Sequence, residues 1–301
     1  MDDRRLLLLD TASLYFRAFF GLPDSLTSAS GQPVNAVRGL LDFIARFVAD
    51  YSPTHLACCW DDDWRPAWRV GLLPSYKAHR VAIADGGEAE EVPDALNAQV
   101  PWIRAVLDAA GIPVVGAPGY EADDVIGTLA TGFDGPVDVV TGDRDLFQLV
   151  DDAAGVRVLY VARGVAKHER VNDAWLAAKY GITGASYVDF AVMRGDPSDG
   201  LPGVKGIGEK TAASLLARYG DLDGIVAHAS ALTPAVQRSL TAAIDYLGPA
   251  REVVAVARDV SLPEVDLSLP RAPRDPEAFA SLASELNLGG SAERLLAALA
   301  R

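Results

Sequence analysis

Short, nearly all-apolar runs that end in aspartate constrain this chain more than any other feature. Arg4 to Asp10 reads RRLLLLD, Thr54 to Trp60 reads THLACCW and is followed by Asp61, Asp62 and Asp63, and Val137 to Thr141 leads into TGDRDLFQL. Runs of this length and composition form strands covered on both faces. That demands a mostly parallel sheet with helices packed on either side. The intervening segments supply those helices: Thr11 to Phe20, Asn35 to Tyr51 with Val37, Leu40, Leu41, Ile44, Phe47 and Val48 at helical spacing, Asp94 to Ala110 stopped by Gly111, and Glu121 to Thr131. Ile112 to Val115 and Val156 to Val161 add two further strands.

From Asn172 onward strand signals fade. Helices are expected over Asp173 to Tyr180, Ala185 to Arg194, Glu209 to Arg218, Leu222 to His228 and Pro234 to Leu247. A proline-spaced extended tail, Leu262 to Arg271, precedes closing helices at Pro276 to Leu286 and Ala292 to Leu299. We place a domain boundary near residue 170, dividing 1–170 from 171–301. Trp64 to Val92 is the least regular stretch: Arg65, Arg69, Tyr76, Lys77, His79 and Arg80 come first, then the acidic DGGEAEE. So long an excursion inside a compact domain reads as a functional loop, kept mobile by its glycines.

Ligands of open α/β sheets bind outside the carboxyl ends of the strands. Asp10, Asp61, Asp143 and Asp145 all fall at that edge. Besides the strand-end Asp10 and Asp61 there are three clusters of acids: Glu121, Asp123 and Asp124 at a helix start, Asp143 and Asp145 two apart after a strand, and Asp196 and Asp199 three apart in a glycine- and proline-rich turn. Capping accounts for any one cluster, because acids favour first helical turns and aspartates favour turns. It accounts poorly for all of them meeting at one edge. Oxygen-only ligands without His or Cys select Mg²⁺ or Mn²⁺ over zinc. Two such ions about 4 Å apart would clamp the attacking and leaving oxygens of a phosphodiester.

Behind Asp199 comes Gly203 to Thr211, GVKGIGEKT. It is not a P-loop, because Glu209 intervenes between Gly208 and Lys210 and the preceding Leu-Pro is a poor strand. It fits a tight hairpin between helices, with glycines that let the backbone approach DNA phosphates at a helix N-terminus. Lys205, Lys210 and Arg218 against Glu209 make the segment locally basic. The bland alternative is a plain helix–helix turn.

At 301 residues the chain can build one large or two modest domains. Its net charge of −14 argues bluntly against nucleic acid. Setting the candidate metal ligands aside leaves only roughly −5, before any metal's own charge. The apolar run Leu6 to Leu9 is too short for a signal or membrane segment. Cys58 and Cys59 are adjacent, point to opposite faces of any strand, and read as core thiols of a reducing cytoplasm.

Taken together, LLLLDTASLYFRAF, the Arg69 to Arg80 segment ending YKAHR, GYEADDVIGTLA, TGDRDLFQL, GDPSDGLPGVKGIGEKTA and LPEVDL resemble the bacterial 5′-nuclease family. These are the flap endonucleases and 5′–3′ exonucleases that also form the N-terminal domain of bacterial DNA polymerase I. The resemblance runs nearly end to end. It implies an α/β PIN-like (Rossmann-like) nuclease core with a gateway over residues 64–92, then a helical helix–three-turn–helix DNA-binding region. It implies metal ligands at Asp10, Glu121, Asp123, Asp124, Asp143, Asp145, Asp196 and Asp199, with a ninth in the Asp61–Asp63 run. The strand ending points to Asp61 and the spacing back from YKAHR to Asp62; we assign Asp61. Catalytic roles are implied for Asp10, Asp124, Asp145, Lys77 and Arg80. DNA contacts are implied for Arg17, Arg69, Tyr76, Lys77, Arg80, Gly203, Lys205, Gly206, Gly208, Lys210 and Thr211, and backbone carbonyls of Val204 and Ile207 could hold K⁺.

One departure stands out: Gly200 replaces the asparagine that usually follows the second aspartate of the GDxSDN motif. Asparagine there shapes the turn, and glycine also permits unusual backbone angles, so activity is expected to survive. No polymerase or proofreading domain fits after residue 301, so the sequence resembles a free-standing member, expected as a monomer acting on DNA with 5′ flaps or 5′ ends, RNA-primed ones included. A non-catalytic DNA-structure binder of the same fold is the alternative, but it would be expected to lack some carboxylates, and none is missing. PIN-type ribonucleases are usually shorter and lack the hairpin. A haloacid-dehalogenase-like phosphatase would need a second aspartate two residues after Asp10, where Ala12 stands.

Overall fold

The structure is a computed structural model describing residues 4–84 and 87–301. Six strands form one sheet: β1 (Leu6–Asp10), β2 (His55–Cys59), β5 (Val114–Val115), β6 (Val137–Thr141), β7 (Val156–Tyr160) and β8 (Glu169–Val171), in the order β5-β2-β1-β6-β7-β8. All pairings are parallel except β7 with the edge strand β8. The chain winds outward from β1 through β2 to β5, then returns to β1's other side with β6. The order therefore reverses between β1 and β6, and Asp10 and Asp143 leave the sheet there.

Alternation within the apolar runs explains why both faces are covered. Leu6, Leu8, Ala57, Cys59, Val137, Val139 and Val158 face a core shared with the Ala122–Gly132 helix. Leu7, Leu9, Leu56, Cys58, Val140 and Leu159 face another core, under the Asn35–Tyr51 and Val100–Ala110 helices. Each buried leucine contributes about 1.5–3 kcal/mol relative to exposure. The two cysteines do turn to opposite faces, both buried and unpaired. Asp138, the polar interruption in β6, is 1% exposed and neutralised by Arg5 and Arg157.

The change to helices after β8 is a change of secondary structure and not a break in packing. Phe190, Ala212, Leu216, Ala250 and Val253 belong to the same continuous core as Leu6 and Val139. The closing helices return to the first layer: Gly290–Leu299 packs on the Asn35–Tyr51 helix and Pro276–Glu285 on the Val100–Ala110 helix, with Phe279, Leu286, Leu288, Leu295 and Leu299 in their shared core. Two long helical readings are divided, Asp94–Asn97 from Val100–Ala110 and Pro234–Ala242 from Ile244–Val254.

The irregular excursion contains more structure than its sequence suggests. A short helix (Ala67–Leu72) and a 3-10 turn (Ala78–Arg80) lead into an antiparallel pair, β3 (Val81–Ala84) with β4 (Gly87–Glu90). Of the acidic DGGEAEE stretch, expected to be mobile, Asp85 and Gly86 lie outside the described residues.

Candidate active site

Four elements deliver acids to the sheet's carboxyl edge. Asp10 ends β1 and caps the Thr11–Gly21 helix through the Ser13 N–H (3.2 Å), while the Thr141 hydroxyl donates to its other oxygen (2.6 Å). Asp61 follows β2 and accepts the Ala122 N–H at 2.9 Å. Glu121 and Asp123 open the Ala122–Gly132 helix. Asp143 follows β6. A cleft of about 340 Å³ is lined by Asp10, Asp61, Glu121, Asp123 and Asp143 together with Lys77 and Arg80. A larger hollow of about 920 Å³, beside Arg104, Asp108 and Arg274, lies at the β5 edge, away from this cluster.

Asp62, the alternative to Asp61, points elsewhere: its carboxylate packs over Gly116 and lies 3.6 Å from Arg104. A second group of acids extends the cluster beyond Asp143. Asp145, Asp196 and Asp199 are all buried. Asp145 Oδ1 is buried with no hydrogen-bond partner.

Burial, aided by the neighbouring Asp61 and Asp143 charges, pushes the Asp10 carboxyl up to about 7. Burial likewise raises Asp61 and Asp199 to about 6, against the opposing pull of Lys77. Asp123 and Asp145 are driven well above the usual carboxylate range by burial and by the acids around them. The cluster is short of positive charge, its donors are all oxygen, and one is orphaned. Those properties fit a hard divalent ion. Among the described residues no three such side chains close into a ready-made cage. They ring an open cleft, which suits ions that keep water and accept substrate oxygens as ligands.

The structure places several of the residues singled out from sequence away from the cleft. Asp124 is fully buried, and Arg69 binds it in a fork, Nη1 to Oδ2 at 2.8 Å and Nη2 to Oδ1 at 2.7 Å. The Glu121 and Ala257 N–H groups fill its remaining positions. Asp124 is therefore an anchor with no oxygen aimed at the cleft. Arg69 is 2% exposed and also donates to Glu121 (3.0 Å) and to the Val253 carbonyl, so its guanidinium is occupied within the protein. Tyr76 is buried too, its hydroxyl donating to Glu121 at 2.8 Å. All three brace Glu121 and the start of the gateway.

Nor do the outer acids lack countercharge, as their clustering suggests. Asp196 accepts from Arg194 (3.0 Å), Arg144 (3.4 Å) and the Ser198 N–H (3.0 Å), and Asp199 accepts from Arg80 (2.9 Å). Sequence does not single out Arg144 and Arg194, although Arg144 lies between Asp143 and Asp145 and Arg194 two residues before Asp196. Nor does it single out Glu90, which reaches the cleft on β4, because only the β3–β4 pairing brings it there.

Lys77 donates to Glu121 and to the Trp64 carbonyl from a left-handed backbone (φ +49°). Arg17 donates to the Ala162 carbonyl and lines a groove with Phe16, Phe20, Phe43 and Arg163 that joins the cleft at Ser13 and Phe16. In the hairpin, Val204 and Ile207 are buried, and the Ile207 N–H donates to the Val204 carbonyl. Lys205, Gly206, Gly208 and Lys210 are exposed, and Thr211 is half-buried in the first turn of the Glu209–Tyr219 helix. Gly203 permits the tight fold, since a Cβ there would meet Arg194 and Gly195 backbone at 2.6–2.7 Å. Beside the hairpin, Arg238 joins Lys205 in lining a further groove.

A resolvase-like sheet with acids at its switch point and a glycine hairpin beside them defines a nuclease. Residues 5–181 match the 5′-3′ exonuclease N-terminal resolvase-like domain, and residues 182–277 match the 5′-3′ exonuclease C-terminal SAM fold. This chain belongs to the 5′–3′ exonuclease family. A 5′-3′ exonuclease of Streptomyces coelicolor is 61% identical over 299 residues, covering 97% of this chain and 99% of that one. A 5′-3′ exonuclease of Mycobacterium tuberculosis is 50% identical, covering 98% and 97%. The fold also matches the bacteriophage T5 flap endonuclease, solved as a pseudo-enzyme–product complex with DNA and metal ions. That match has a TM-score of 0.64 at 18% identity and covers 99% of this chain and 100% of that one. Among the described residues no helix is long and apolar enough to cross a membrane.

Proposed function

We propose that this chain is a structure-specific 5′ nuclease that hydrolyses phosphodiesters at DNA 5′ ends and 5′ flaps, including RNA-primed ones, in replication and repair in the cytoplasm. The observation that carries this reading is the convergence of Asp10, Asp61, Glu121, Asp123 and Asp143 on one cleft, together with Lys77 and Arg80. Asp10, Asp61, Asp123, Asp143, Asp145 and Asp199, joined by Glu121, would hold two divalent ions, Mg²⁺ or Mn²⁺. When bound, these supply Lewis-acid polarisation of the phosphate and a nucleophilic water.

The chain's own residues do the rest. Lys77 and Arg80 place positive charge where the scissile phosphate sits and stabilise the charge that develops on it. Glu121 holds the Lys77 ammonium in the cleft and is itself steadied by Arg69 and Tyr76. The aromatic and basic groove at Phe16, Phe20, Arg17 and Arg163 suits an unpaired strand, which stacks on rings while cations meet its phosphates. Lys205, Lys210, Thr211 and the exposed Gly206 and Gly208 backbone grip duplex phosphates, with Arg238 as a further contact and K⁺ as a ligand of the hairpin carbonyls. The protein works as a monomer.

Single-turnover cleavage of a labelled 5′-flap duplex tests this, with Mg²⁺, with Mn²⁺ and without either. Cleavage is expected only with metal, and Lys77→Ala should lower the saturating rate by on the order of 10²-fold while leaving duplex affinity nearly unchanged. Duplex binding without metal-dependent cleavage would return the protein to the class of non-catalytic DNA-structure binders.

A further inference from the structure

Gly200 stands where the family motif carries asparagine, and the structure shows what lies against it. Its φ is +74°, a region asparagine also tolerates, so conformation alone does not call for glycine. The neighbour does. A Cβ at Gly200 would lie 2.0 Å from the Ser75 carbonyl oxygen and 3.0 Å from its carbonyl carbon. Both are backbone atoms, which cannot swing aside as a side chain would.

This contact is the centre of a seat between the gateway and the Asp196–Gly200 turn. The Ser75 hydroxyl donates to the Gly200 carbonyl at 2.8 Å, and the Lys77 N–H donates to the Asp199 carbonyl at 3.0 Å. Arg80 donates to the Ser198 carbonyl at 2.7 Å and to the Asp199 carboxylate at 2.9 Å. Between these bonds Lys77 holds its left-handed backbone, which a non-glycine residue keeps only when its surroundings over-determine it.

We propose that Gly200 is a positioning residue: its missing side chain lets the Ser75–Arg80 segment seat on the turn, and the seat aims Lys77 into the cleft. The proposal rests on the reading of Lys77 given above. It also implies that the asparagine usual in this motif would be a harmful substitution in this chain. The turn runs directly into the hairpin, where Gly195 and Gly203 pack backbone to backbone. Duplex grip, acidic turn and gateway lysine are therefore mechanically continuous.

Gly200→Asn and Ser75→Ala test the seat by single-turnover cleavage of a 5′-flap duplex, duplex affinity, and amide hydrogen exchange at Lys77 and Arg80. Gly200→Asn should lower the saturating rate by on the order of 10²-fold, the scale of an ångström-level misplacement. Exchange at the Lys77 amide should quicken, and duplex affinity should stay within about threefold, as expected when the hairpin's phosphate contacts are untouched. Added to Lys77→Ala, it should cost nothing further, because the side chain it positions is gone. Ser75→Ala removes one bond without a clash and should move rate and exchange the same way by a few fold, which keeps the test open if Gly200→Asn does not fold. A wild-type rate in Gly200→Asn, or losses that multiply with Lys77→Ala, would overturn the proposal. If Lys77→Ala alone cleaved at the wild-type rate, the catalytic reading of the lysine would fail; quickened exchange would still support the seat, and unchanged exchange would sink it too.

Discussion

At one end of the carboxylate cleft, Asp10, Asp61 and Asp123 sit at or just beyond strand and helix termini, the first two steadied by the Thr141 hydroxyl and by N–H groups of Ser13 and Ala122. The cation that faces them is Lys77. At the other end, Asp196 and Asp199 carry three guanidiniums, from Arg194, Arg144 and Arg80. Asp143 stands between the groups, and its charge raises both Asp10 and Asp145. Both ends place acids side by side, but only the outer one pairs its aspartates directly with guanidiniums. On the proposed reading a divalent ion would matter most at the Asp10 end, while at the outer end Asp145, with its orphaned oxygen, is the acid that would want one.

The strongest way to break this contrast is to neutralise one acid from each end. Asp10→Asn keeps the helix cap, since asparagine caps as well as aspartate. It should nevertheless lower single-turnover cleavage at saturating Mn²⁺ by about 10³-fold or more, the scale of losing several kcal/mol of charge stabilisation. Asp196→Asn should cost far less, because both oxygens of Asp196 are already occupied by arginines and Ser198. Equal losses would erase the distinction. A gentler test removes a cation. Arg194→Met should tighten the weaker of two Mn²⁺ sites by about tenfold in the DNA-free protein, read by electron paramagnetic resonance, because the guanidinium whose charge acts on Asp145 would no longer oppose an ion held there. No change in either site would mean that Arg194 serves packing alone.

The smallest effect is expected outside the cleft, where lysines are exposed and screened. Replacing Lys205 and Lys210 together by alanine should weaken duplex binding and reduce its salt slope by about 0.9 for each phosphate no longer neutralised. The saturating cleavage rate should hold. A lowered rate with unchanged affinity would put these lysines in the same functional unit as the outer acids.

Much of this was written locally in the chain. Apolar runs of strand length can be buried only one way, so β1, β2 and β6 and the aspartates at their ends were legible, and periodicity marked the Asn35–Tyr51 helix to the residue. The glycine spacing of the hairpin was legible for the same reason, since turn chemistry acts over a few bonds. Other roles depended on contacts between distant segments, which one-dimensional spacing does not encode. Arg69 and Asp124 lie 55 positions apart, and only their burial against each other turns a DNA-binding arginine and a metal-binding acid into a structural pair. Asp61 and Asp62 are chemically identical neighbours, distinguished only by which one the end of β2 turns toward the cleft. Gly200 looks like a relaxed motif position until the Ser75 backbone is seen against it. Short-range preference determined which elements form and where acids cap them; long-range packing decided which of those charges face one another, because a charge's role depends on what surrounds it.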